Sequence, residues 1–413
     1  MSTTTATIEP AAPTGVRRLL LSGPELSSHT RCFGSRPTTA GSVEFLDAVA
    51  ASGLSGRGGA AFPAARKLAA VAAGRRAVVI ANAAEGEPAS SKDAVLLSRA
   101  PHLVLDGLGV AAEAVGAREC HLYAPASALD GVHRALEERR AGGYDRRTVR
   151  LTASAETFLS GEKTAVINRI AGSPALPGDQ LVSTSHAGLR GRPTLVHNVE
   201  TLAHLALIAR YGPRWFRSAG TPEEPGTMLV TLSGTAATGV VEVPLGIPLL
   251  DLIARHGRTD PSTVRAVLIG GYHGSWIPAA ALGRAALSAA ALRPLRASPG
   301  AGIVRVLSRA ECGLRASAEI IAYLAAQSAG QCGPCRNGLP AIAAIFTALA
   351  EGQPVDPHEI ARLTDLVDGR GACAHPDGTA RLVRSALGVF ARDVTLHPHG
   401  RCQITETTIG ARS

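Results

Sequence analysis

SGLSGRGGAAFPAARK, residues 52–67, places three glycines between two helical stretches. Gly56, Gly58 and Gly59 separate an amphipathic run at 42–51 from a second run at 62–73. Glycine accepts positive φ and lets backbone N–H groups close on a ligand. A helix opening at Ala60 or Ala61 would aim its N-terminus at the loop, where a phosphate is favoured. Arg57 and Lys67 add positive charge on either side. Taken alone, the stretch is better explained as a plain tight turn, because Gly-rich turns are common. Outward from it, AVVIAN at 77–82 reads as a buried strand, 103–115 as an apolar helix, and CHLYAP at 120–125 as a second strand. Short apolar strands alternating with Ala-rich helices predict an α/β fold, a mostly parallel sheet with helices on both faces.

Near residue 226 the texture changes. TMLVTLSG, VVEVP, LLDLIARHG and AVLIGGYHG, within 227–274, run strand, strand, helix, strand, the pattern of a small β-grasp unit. From Glu311 onward, helical runs at 316–327, 339–352, 357–368 and 378–393 predict a bundle. Residues 1–41, rich in Thr, Pro, Ser and Gly, read as a flexible arm. The expected division is therefore 1–41, 42–225, 226–300, 301–395 and a tail at 396–413. A length of 413 residues is too great for one ordinary core, so several domains agree with it.

Apolar residues make up 46% and charged residues 18%, which places the chain among globular proteins. The formal charge is +9, but the arginines are scattered and only 3% of residues are aromatic. A nucleic-acid surface needs clustered cations and stacking platforms, so no nucleic acid is expected. Anionic cofactors or an acidic partner suit the charge. Lys67, Lys92 and Lys163 are the only lysines in an arginine-dominated chain. A compact ammonium does what a flat guanidinium does not, although codon bias would leave the same three survivors. The seven cysteines are odd in number, and MSTTTATIEPAAPTG at 1–15 lacks the features of a secretory signal. A cytoplasmic chain with metal-binding or buried thiols is expected. No apolar run reaches membrane-spanning length, so no direct membrane insertion is expected and any membrane is reached through a partner.

Further segments follow the glycine loop in order: NAAEGEP at 82–88, SKD at 91–93, PHLVLDG at 101–107, SGEKTA at 160–165 and GLRGRPTLVHNVETLA at 188–203. All three lysines lie within the loop stretch or these segments. Together, over about residues 42–395, they resemble the NADH-binding flavoprotein of respiratory complex I (its F, or 51 kDa, component) and the related proteins of soluble NAD-linked hydrogenases and formate dehydrogenases. The resemblance implies a Rossmann-like FMN domain at 42–225, a β-grasp domain of the SLBB type at 226–300 and a helical iron–sulfur domain at 301–395. It implies FMN held by Gly56, Arg57, Gly58, Gly59 and Lys67 at the phosphate and ribityl chain, by Asn82 at the ring or ribityl hydroxyls, by Gly161 as a wall, and by Asn198 and Thr201 near the phosphate. Glu85, Glu87 and Glu162 would line the nicotinamide pocket as the catalytic carboxylates. NADH would deliver electrons, which would leave singly toward a ferredoxin-like or quinone-reducing partner. GGYHGSW at 270–276 would be the turn joining flavin and cluster regions. Read from the residues alone, Glu85 and Glu87 fit a solvated loop and Asn198 a helix cap.

SAGQCGPCRNG at 328–338 spaces Cys332 and Cys335 as C-x2-C, and GRGACAHPDG at 369–378 sets Cys373 in a loop. By spacing, these thiols suit an iron–sulfur cluster or, with His375, a closed Cys3His zinc site. The resemblance implies the cluster, [4Fe–4S] or [3Fe–4S], with these three cysteines as ligands and Ala329 at the family's first cysteine. Cys312 reads as a buried thiol or a replacement ligand; Cys32, Cys120 and Cys402 read as bystanders. The chain also has Ala84 where the family has an acid, Lys163 for a second glutamate and Ala70 for an aromatic. Three readings remain: an NADH-oxidising electron-transfer protein, a non-catalytic or NADH-independent relay, and a zinc-stabilised binding module.

Overall fold

The computed structural model describes residues 11–39, 41–178 and 182–404. Strands β1 (Val78–Asn82), β2 (Glu119–Ala124), β3 (Val149–Ala153) and β4 (Thr194–Asn198) form one sheet in the order β3-β2-β1-β4. Every pairing is parallel, and the register sets Asn82 beside both Tyr123 and Asn198. All the carboxyl ends therefore share one edge, where open parallel sheets bind ligands. Around this sheet stand α1 (Leu26–Phe33), α2 (Ser42–Ser52), α3 (Ala64–Ala72), α4 (Lys92–Arg99), α5 (Pro101–Ala114), α6 (Ala126–Ala141), α7 (Lys163–Ile170) and α8 (Val199–Phe216).

Helices on both faces explain why VVIAN is an unbroken apolar run rather than an alternating one. Val79, Ala81 and Leu195 pack with residues of α2, α5 and α8. Val78, Ile80, Tyr123 and Val196 face the other way, against Val166 and Ile167 of α7. The expected Rossmann-like arrangement is present. Helices α5 and α8 meet so closely that a Cβ on Gly107 would lie 1.8 Å from the Leu202 carbonyl oxygen, so only glycine fits.

The reading of 1–41 as an arm needs correction. Residues 1–10 lie outside the described residues, but α1 packs as a helix with His29 and Phe33 buried, and Leu19 is fully buried. His29 Nε2 is 2.9 Å from Asp106 Oδ2, deep in α5, and Asp106 also pairs with Arg139 and Arg210. That buried ion cluster fixes the segment in a way its polar composition conceals.

The second sheet has β5 (Thr227–Ser233), β6 (Gly239–Pro244), β7 (Val264–Ile269), β8 (Ser275–Pro278) and β9 (Ile303–Ser308), in the order β6-β5-β9-β7-β8. β5 and β9 run parallel and the other neighbours antiparallel. In the unit's own count this is 2-1-5-3-4, the β-grasp order. The central strand β9 lies past residue 300, where the unit was expected to end, because it fills the gap between β5 and β7. Short helices α9 (Leu249–Asp251) and α10 (Ala289–Leu292) flank the sheet.

The bundle comprises α11 (Gly313–Ala326), α12 (Leu339–Ala350), α13 (Pro357–Val367), α14 (His375–Val389) and α15 (Ala391–Leu396). The helix expected at 378–393 starts earlier and breaks at Phe390. The Phe390 ring lies 5.3 Å from Trp276, and a Cβ on Gly313 would strike it at 2.1 Å. No single helix among the described residues is long and apolar enough to cross a membrane. Residues 405–413 of the tail lie outside the described residues.

Candidate functional site

The glycine loop, the ends of β1 and β4 and the start of α7 converge at the carboxyl edge of the parallel sheet. The loop is longer than its sequence announces. Gly56 N–H donates to Phe62 O, Ser55 and Pro63 form a bridge, and Ala61 has φ 48°. Helix α3 therefore starts at Ala64, not at Ala60 or Ala61. Gly58 lies against Asn198, where an added Cβ would be 3.3 Å from the Asn198 Cβ, and Gly59 has φ 103°.

Asn82 and Asn198 tie this edge together. Asn82 Nδ2 donates to Gly161 O at 2.9 Å, and its Oδ1 accepts from Ala84 N–H. Asn198 caps α8 by accepting from Glu200 N–H, and its Nδ2 donates to Asp93 Oδ2. Lys67 donates to Val196 O. Burial first, and then the charge of Lys163, lowers the Lys67 ammonium to about 8.

Arg57 and Thr201 serve differently from expectation. The Arg57 guanidinium donates to Thr227 O, Pro225 O and both oxygens of Ser55, and its N–H donates to Thr201 Oγ1. Its side chain is a buried strut from the loop to β5, not a group directed at a phosphate, and Thr201 braces the loop.

Two of the three carboxylates are helix caps. Glu85 accepts from Ser90 Oγ and from the N–H groups of Asp93 and Ala94 at the start of α4. Glu162 is the N-cap of α7, accepting from Thr164 and Ala165 N–H. Such caps contribute about 0.5–2 kcal/mol each. Glu87 is different: it accepts from Tyr272 N–H at 2.8 Å and from Ala89 N–H, joining the sheet edge to the turn at 270–276. Burial raises its carboxyl to about 7.

That shift predicts a pH dependence. Between pH 4.5 and 7 the native Glu87 holds a proton that the unfolded chain has released, so its contribution to stability declines as pH rises through this window. Glu242, also raised to about 7 by burial, adds to the same slope. Glu87→Gln should flatten the decline by on the order of 1–3 kcal/mol, screening included. Urea midpoints at about pH 5 and pH 7.5 that move in parallel for both proteins would refute this.

Beneath the edge lies a network whose core the sequence reading passed over. Lys92, fully buried, contacts Asp93 Oδ1 at 2.6 Å, Glu200 Oε2 at 3.0 Å and Asn198 Oδ1 at 3.0 Å. Glu200 also accepts from Leu229 N–H, linking α8 to β5. The rarity of lysine was the available signal; Glu200, inside an apolar helix stretch, was the neglected one.

The cluster cysteines meet at the mouth of the bundle. Cys332 and Cys335 lie before α12 and Cys373 just before α14. The Cys335 thiol is pushed up to about 12 by burial and by its neighbours Cys332 and Cys373. His375 is not a fourth ligand: Nε2 meets Leu324 O at 2.8 Å and Nδ1 meets His273 at 3.0 Å. Cys312 is no replacement either, since it sits at the opposite end of α11, a helix roughly 21 Å long.

The turn at 270–276 touches both regions. Besides the Glu87 contact, His273 stacks edge-on against Phe158 at 4.6 Å and accepts from Arg381 through its carbonyl, while Trp276 N–H donates to Ser385 Oγ on α14.

Two family models match the chain, the Nuo51 FMN-binding domain over residues 49–207 and the NADH-ubiquinone oxidoreductase-F iron-sulfur binding region over 315–397. The F 2 component of NADH-quinone oxidoreductase from Rhizobium meliloti is 32% identical, over 86% of this chain and 88% of its own length. The F component of the same enzyme from Rhodobacter capsulatus is 30% identical over 84% and 86%. The fold matches an NAD+-reducing [NiFe]-hydrogenase in its air-oxidized state with TM-score 0.79 and 31% identity, over 87% of this chain and 63% of the hydrogenase chain. By these matches and by its architecture, the chain belongs to the F-component family of NADH-quinone oxidoreductases.

Proposed function

We propose that this chain is an NADH-oxidising electron-transfer component of a larger assembly, with FMN at the carboxyl edge of β1 and β4 and an iron–sulfur cluster on Cys332, Cys335 and Cys373. One observation carries the reading: the two sites are almost contiguous. Asn82 holds Gly161, Glu162 follows in sequence, and the Cys373 thiol is raised by burial and, among its neighbours, by the charge of Glu162. FMN, when bound, takes electrons in pairs and gives them up singly.

The residues fit both groups. Lys67, its charge disfavoured by burial and by Lys163, would be relieved by a bound anion, which suits a flavin nucleotide. Gly58 and Gly59 leave the backbone open beside Asn198, and Asn82 fixes the Gly161 wall. Cys335 and Cys373, whose thiols are raised by burial and by neighbouring Cys332, need a cationic centre to hold them as thiolates. Glu85 and Glu162 shape the pocket by capping helices, and Glu87 holds the β-grasp turn against it. The FMN unit at 42–225, the β-grasp unit from 226 and the bundle to 395 follow from this reading. So do a cytoplasmic setting and a ferredoxin-like partner whose acidic surface meets the +9 chain.

An NADH-independent relay is the second reading, favoured by Lys163 and Ala84 where the family carries acids. Anaerobic visible spectra decide. Flavin and cluster bands that bleach on adding NADH support the first reading. Bands that bleach only with dithionite support the relay, and a colourless protein refutes both.

A further inference from the structure

We propose that Cys312, His397 and Cys402 form a zinc site, separate from the iron–sulfur cysteines, that fastens the C-terminal segment to the helical bundle. The ligand atoms of the three residues all lie within 4.8 Å of one another, the only such group of three among the described residues. This spacing matches a single tetrahedral ion, with thiolates roughly 3.8 Å apart.

The histidine is prepared for the role. His397 Nδ1 donates to Ala350 O at 3.0 Å, at the end of α12, which leaves Nε2 as the free lone pair. Nε2 then lies 3.4 Å from Cys312 Sγ. A ligating histidine characteristically gives its other N–H to a backbone carbonyl in this way. Cys312 is the N-cap residue of α11, so its sulfur stands at the positive end of a fourteen-residue helix. Cys402 Sγ lies 3.6 Å from Asp393 Oδ1. Asp393 is fully buried, pairs with Arg265 through its other oxygen and also accepts from Gln403 N–H, so it stands behind Cys402 as the acceptor that positions it. Two thiolates and Asp393 are then balanced by the ion and Arg265.

The site links three elements: the start of α11, the end of α12 and the chain after α15. Two of its three ligands also lie outside the matched iron–sulfur region at 315–397. The proposal does not rest on the flavin reading, since it concerns the far end of α11 from the cluster.

Metal analysis of anaerobically purified protein tests it. About one zinc per chain is expected in addition to iron. Cys402→Ser and His397→Ala should each remove that zinc and leave the cluster bands. Cys332→Ser with Cys335→Ser should remove the bands and leave the zinc. Zinc that disappears with the Cys332/Cys335 pair, zinc that survives Cys402→Ser, or a Cys312–Cys402 disulfide in the anaerobic protein would each overturn the site. If the variants do not fold, chelator-treated wild-type protein is titrated with Co2+. Thiolate-to-cobalt charge-transfer and tetrahedral visible bands saturating near one equivalent are expected, and their absence overturns the proposal.

Discussion

Lys92→Met is expected to cost the fold about 3–5 kcal/mol and to empty the flavin site. The ammonium sits among Asp93, Glu200 and Asn198 with essentially no solvent contact. Burial alone would lower the Lys92 pKa, but Asp93 and Glu200 outweigh it and raise it. Removing the cation strands Glu200, whose carboxyl burial already raises. It also frees Asn198, which Lys92 and Asp93 hold from its two ends. Urea unfolding and the flavin-to-protein absorbance ratio measure the two effects together. Lys92→Met with Glu200→Gln should recover part of the stability, because the stranded charge is gone. A single variant within about 1 kcal/mol of wild type, still yellow, would show the network to be dispensable. Lys92→Arg should not rescue, since the longer planar fork does not fit a cavity shaped to a point charge.

Much of this arrangement was legible because local chemistry demanded it. The VVIAN run needed two covered faces, and Gly59 needed its positive φ. The cysteine spacing placed Cys332 and Cys335 on one turn. What was hidden depended on partners far away in the chain. Ala61 carries no sign of its left-handed backbone, so α3 was begun three residues early. LSSHTRCF in α1 looks like a surface stretch until Asp106, 77 residues on from His29, supplies its buried partner. Glu85 and Glu162 looked like pocket acids because their capping duty is set by where α4 and α7 begin. Cys402 looked like a bystander because no spacing rule connects it to Cys312, far back at the start of α11.

The cluster cysteines carry the other large effect. Cys335→Ser should lose the iron and the visible bands, since Cys335 is the buried member of the three and its thiol responds to both others. The opposite change is the more informative one. Ala329 precedes Gly330, whose N–H is directed at the Cys335 sulfur, so a thiol at 329 would enter the same cluster of sulfurs. Ala329→Cys should therefore add a fourth thiolate, shift the EPR signal of the reduced or oxidised cluster, and slow iron loss to a chelator by roughly tenfold or more, a change of about 1.4 kcal/mol. Iron and sulfide content per chain, with EPR of both proteins, read the result. Because thiolates must form for iron to bind, reconstitution of wild type should fall away at low pH, and more steeply in Ala329→Cys, whose fourth thiol must release one more proton. An unchanged EPR signal in Ala329→Cys, with unchanged iron retention, would mean that another group already completes the cluster and that residue 329 is not its missing corner.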